Sequence, residues 1–162
     1  MLASFALASL LVAGGSLVAD PIDQAVQRSG SSGRAAARTV EIVATDDMKY
    51  SVTTITAKPG EQLRVVLRTQ GEMRKLIMAH NVVVLQQGVD PAAFNAAAAS
   101  QRAANFIPPG QEKDIVAATA LAGAGETVEM TFTVPDKAGR YDYICTFPGH
   151  FIAGMRGVLT VK

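Results

Sequence analysis

The chain has 162 residues, a length that suits one domain with a substantial core. Its 15 Lys and Arg against 14 Asp and Glu give a formal charge of +1, with no basic stripe for nucleic acid and no acidic tail. One Cys excludes an intramolecular disulfide, and 49% hydrophobic content is ordinary for a globular protein.

Residues 1–19 carry no charge and are rich in Leu, Ala and Val, with small residues near Ala19. That pattern reads as the apolar part of a secretion signal, although the usual early Lys or Arg is missing. A permanent membrane anchor is the weaker alternative, because the stretch barely reaches spanning length and is diluted by Gly and Ser. Residues 20–38, with Ser-Gly-Ser-Ser-Gly at 29–33, read as a flexible tether. The folded domain is expected over 39–162.

Strand signals then follow at short intervals. Val40, Ile42 and Ala44 mark the first strand. Val52 to Ala57 leads into the Lys58-Pro59-Gly60 turn, and Leu63, Val65 and Leu67 alternate with Gln62, Arg64 and Arg68. Val128, Met130, Phe132 and Val134 alternate with Thr127, Glu129, Thr131 and Thr133, a period of two that buries one face. His80 to Leu85 and Tyr141 to Cys145 are more continuously apolar, as central strands tend to be, and Gly157 to Val161 is a final strand. Asp90-Pro91 opens an Ala-rich stretch to Ala104 as N-cap and first helical residue, and Pro108-Pro109-Gly110 stops it. The expectation is an all-β sandwich with one helix packed on its outside.

The chemistry is concentrated in a few residues. Cys145, His150 and Met155 stand at equal steps near the end, and the other His is His80. If Cys145 ends one strand and Leu159 lies in the next, the intervening residues form a loop at one end of the sandwich. Pro148 and Gly149 allow the turn that returns His150 to Cys145, and His80 completes the site from another strand. A thiolate, two imidazoles and a long thioether contact are the ligand set of a blue-copper electron-transfer site. Singly, each residue has a plainer reading, since buried Cys and Met are common core fillers. Zinc is the metal alternative, for which a thioether is a poor fourth donor. A Cys145–His150 nucleophile pair is the enzymatic one, and it leaves His80 and Met155 without a role.

Cys145-Thr146-Phe147-Pro148-Gly149-His150 resembles the copper loop of azurin, and Met78-Ala79-His80-Asn81 resembles that family's first ligand segment. Asp47-Met48-Lys49-Tyr50, Thr54-Ile55-Thr56 and Leu121 to Glu126 are similar as well, so the resemblance to the cupredoxins, azurin and the auracyanins in particular, covers about 39–162. It implies a Greek-key sandwich of about eight strands and one type 1 copper ion. His80, Cys145 and His150 would be equatorial ligands, Met155 axial and the Ala79 carbonyl a weak axial contact, with Asn81 and Thr146 supporting them. The chain departs from azurin in a His150-to-Met155 step one residue longer, as in auracyanins, in the missing disulfide and in Val82 where azurin has Trp.

These features lead to a one-electron carrier rather than an enzyme, exported to the periplasm or beyond in a bacterial cell. It is expected to act as a monomer between redox proteins such as cytochromes or copper oxidoreductases. His150 would reach the surface, ringed by an apolar docking patch of Met78, Phe151, Ile152 and Ala153. Two other functions compete. A copper chaperone or store would use similar ligands, and the electron-entry domain of a larger redox enzyme would also fit. Two His cannot build a second copper centre in this chain.

Overall fold

A computed structural model of the protein describes residues 36–162. The leader expected over 1–19 and nearly all of the tether over 20–38 lie outside the described residues. Among the described residues no helix is long and apolar enough to cross a membrane.

Among the described residues nine strands form two sheets, and the core lies between them. The first sheet has the order β2-β1-β4-β7, from β1 (Arg38–Thr45), β2 (Lys49–Tyr50), β4 (Gln62–Gln70) and β7 (Thr127–Thr133). The second has the order β3-β9-β8-β5-β6, from β3 (Thr54–Ala57), β5 (Val83–Leu85), β6 (Ile115–Ala118), β8 (Gly139–Ile144) and β9 (Arg156–Val161). The ninth strand, beyond the eight expected, is accounted for by the two-residue β2. Ile42, Leu63, Val65, Leu67 and Phe132 of one sheet meet Ile55, Tyr141, Tyr143, Leu159 and Val161 of the other. In β4 and β7 the outward Arg64 and Arg68, Thr127, Glu129, Thr131 and Thr133 face water or are half-covered, as the two-residue period requires.

Parallel pairings join distant parts of the chain. β1 runs parallel to β4 from Arg38↔Leu63 to Thr45↔Gln70, and β3 runs parallel to β9 from Thr54↔Val158 to Ala57↔Val161. β8 pairs antiparallel with β9 and with β5, which brings the C-terminal end of β8 beside the start of β5. That end of the sandwich carries the site.

The helix α1 (Pro91–Ala98) begins as expected, with the Asp90 carboxylate accepting from Ala92 N at 2.9 Å. It ends six residues earlier than the Ala-rich stretch suggests. Gln101 O then accepts from Ala104 N and Phe106 N, and Asn105 and Phe106 adopt φ of 52° and 59°. This turn drives Phe106 into the core at 4% exposure, against Phe147 at 5.1 Å between ring centroids. Burial of an aromatic ring there outweighs the intrinsic helix preference of Ala. Phe94 of α1 packs with Val83, Leu85 and Ile144 on the outer face of the second sheet.

Candidate metal centre

Four side chains from three places in the chain converge at the end of β8. His80 precedes β5 and is fixed by a two-way backbone bridge, His80 N to Ala122 O at 2.9 Å and Ala122 N to His80 O at 2.8 Å. Cys145 follows β8, and Met155 precedes β9, so the β8–β9 pairing brings them level. Cys145 N donates to Met155 O at 3.1 Å. The loop between them closes on itself through His150 N to Phe147 O at 3.1 Å and Met155 N to His150 O at 2.9 Å. Gly149, at φ 86°, supplies the left-handed residue that this turn needs.

The donor atoms of His80, Cys145 and His150 all lie within 4.8 Å of one another. Cys145 Sγ is 3.4 Å from His150 Nδ1, and Met155 Sδ is 3.3 Å from His80 Nδ1. Such separations suit ligands that share one ion at bonds of about 2.0–2.3 Å. His80, Cys145 and Met155 are 0% exposed and His150 is 2% exposed, so water has little access. His80 Nε2 is buried without a hydrogen-bond partner, which leaves Nδ1 as the nitrogen turned toward the other donors. The residues therefore fit a soft, mixed S/N metal site, and a thioether in the set favours copper over zinc.

The protonation states agree. Burial pushes both imidazoles down to about 4, with the Asp46 carboxylate opposing this at His80 and His80 reinforcing it at His150. Both rings are neutral at pH 7, as metal ligands must be. Burial pushes the Cys145 thiol up to about 11 against the pull of the Asn81 and Phe147 backbone N–H groups and the Tyr50 hydroxyl. The thiol keeps its proton until a metal displaces it.

Asn81 and Thr146 clasp the two ligand segments together. Asn81 Nδ2 donates to Thr146 Oγ1 at 2.8 Å, and Thr146 N donates to Asn81 Oδ1 at 2.9 Å. Ala79 is buried beside His80.

The surroundings differ from the sequence expectation in two ways. His150 does not stand free at the surface, because Phe147 packs on its ring at 4.8 Å between centroids and only 2% of the residue is exposed. Of the expected apolar patch, Met78 is almost buried, and Phe151 and Ala153 are half-buried. Phe151 rests on the Val83–Ile144 cluster with the Arg156 guanidinium 5.4 Å from its ring, so Ile152, at 83% exposure, alone projects. The other exposed aliphatic residues near His80 in sequence are Leu76 and Ile77, which sequence reasoning missed. Two adjacent large aliphatics after a run of polar residues were the available signal. Tyr50 and Asp46 were missed too, since nothing local in sequence links them to the site.

Residues 37–162 match the family described as copper binding proteins, plastocyanin/azurin family. Auracyanin-B of Chloroflexus aurantiacus is 39% identical over 127 residues, covering 77% of this chain and 52% of that protein. The chain thus spans about half the length of this relative. The copper-resistant cuproprotein CopI of Rubrivivax gelatinosus is 34% identical over 135 residues, covering 83% of this chain and 72% of that protein. The solved structure of auracyanin B superposes with a TM-score of 0.67 at 37% identity, covering 79% of this chain and 91% of that one.

Proposed function

The chain belongs to the plastocyanin/azurin family of copper binding proteins, and from that premise we propose that it is a one-electron carrier acting between redox proteins. The observation that carries this reading is the burial of all four donors, at 2% exposure or less, in one closed site. His80, Cys145, His150 and Met155 would hold the copper, with the Ala79 carbonyl as a further weak donor. The bound copper supplies the Cu(I)/Cu(II) couple. The protein supplies neutral imidazoles, a thiol that ionises on binding, and the Asn81–Thr146 clasp that keeps the ligand segments from moving between oxidation states. Exclusion of water leaves no open position for a substrate, and electrons pass through the covered edge of His150.

Partners dock where Ile152, Leu76 and Ile77 are exposed, and a net charge of +1 gives little long-range steering. Export, with residues 1–19 as leader and 20–38 as tether to the domain at 39–162, belongs to the same proposal.

The test begins with metal-free full-length protein titrated with Cu(II), with Cys145→Ser alongside. An intense visible thiolate-to-copper band and narrow EPR hyperfine splitting, both lost in the variant, support the blue site. The likeness to CopI favours one second reading, copper handling. Repeated oxidation and reduction without metal loss supports the carrier, and loss of copper to a chelator on reduction supports handling.

A further inference from the structure

Tyr50 lies in β2, a strand of the first sheet, yet its hydroxyl reaches across the core to the copper end of the second. The residue is 6% exposed. Pairing of Ala44 with Tyr50 turns its ring inward, where it packs against Tyr143 at 5.9 Å between centroids. The hydroxyl donates a short hydrogen bond to the carbonyl of Asn81. Asn81 is the residue whose backbone N–H points at the Cys145 sulfur and whose side chain grips Thr146.

We propose that Tyr50 is a positioning residue of the copper centre, acting through Asn81, whose carbonyl it anchors and whose backbone N–H and side chain face Cys145 and Thr146. A phenylalanine would fill the same space in the core. The hydroxyl therefore adds nothing to packing that a ring lacks, and a phenol buried this deeply is retained where its O–H has partners. Held in place by that bond, the Asn81 N–H withdraws electron density from a ligating Cys145 sulfur and favours the reduced metal, as hydrogen bonds around a ligand do generally. Tyr143 offers an internal control. Its hydroxyl donates to Val52 O at 2.7 Å, away from the sulfur.

The inference rests on Cys145 being a copper ligand. The experiment compares copper-loaded wild type, Tyr50→Phe and Tyr143→Phe by visible and resonance Raman spectra and by redox equilibrium with a small mediator. Tyr50→Phe should move the Cu–S stretch and the charge-transfer band and shift the mediator equilibrium toward the oxidised protein by about tenfold. Tyr143→Phe should leave all three in place. A purely structural Tyr50 would lower stability without moving these signals, and that result overturns the inference while the copper reading stands. Absence of the intense band in wild type overturns both. A measurement that needs no variant uses zinc-substituted wild type. The Tyr50 hydroxyl proton, held by the Asn81 carbonyl, should exchange slowly, and a rapidly exchanging hydroxyl refutes the contact.

Discussion

Acidifying the metal-free protein tests the burial of its two imidazoles directly. Each ring titrates at about 4 when folded and near 6.5 when unfolded. Between those values the unfolded chain binds protons that the folded chain refuses, so stability falls as pH falls. Above pH 6.5 the contribution is complete and the curve is flat. One pKa unit corresponds to about 1.4 kcal/mol, so each ring contributes about 3 kcal/mol that is lost on going from neutrality to pH 4. Two rings together approach the entire stability of a typical domain, about 5–15 kcal/mol. Urea unfolding at half-unit steps from pH 7.5 to 4, with imidazole NMR titration in parallel, measures both quantities. The copper-loaded protein should start from a higher stability and lose more over the same range, because unfolding then releases the metal and protonates the Cys145 thiolate as well as both rings. A flat stability profile for the metal-free protein, or rings that titrate near 6.5, would refute the reasoning.

Met155→Ala should keep the intense visible band, since the three strong donors remain, while the buried cavity costs about 2–5 kcal/mol in chemical denaturation. Asn81→Ala removes both bonds of the clasp and strands the Thr146 N–H, so thermal unfolding should show a loss of about 2–3 kcal/mol and the copper band should broaden. Gly157→Ala places a Cβ 2.2 Å from Cζ of the buried Tyr143 ring, and a melting-temperature drop equivalent to about 3 kcal/mol or more is expected. Stopped-flow reduction by a protein donor should vary by less than about threefold between low and high salt, because the net charge is small and the projecting residues are aliphatic.

The copper loop was legible because three of its four donors sit in eleven consecutive residues, with Pro148 and Gly149 to shape the turn. β4 and β7 were legible because their alternation is strict. β6 was not, since Ile115-Val116-Ala117-Ala118 has no polar partner at every second place, and β2 is too short for any period. The burial of His150 depends on Phe147, which Phe106 in turn supports from forty residues earlier, after a helix that stops sooner than its Ala content suggests. Tyr50 joins the site only through the stacking of one sheet on the other, a relation that spacing along the chain does not encode.

The parallel pairing of β3 with β9 sets the order of events in the life of this chain. The two strands stand about a hundred residues apart, and the copper loop immediately precedes β9. Closing so wide a loop costs entropy before any contact repays it, which places the fold among the slower ones, in the range of about milliseconds to seconds. A ribosome that has released everything up to Ile144 has delivered neither the edge partner of β3 nor three of the four donors. Metal capture therefore waits for β9 to emerge, and a chain kept waiting for that strand is one that a translocation channel could still thread.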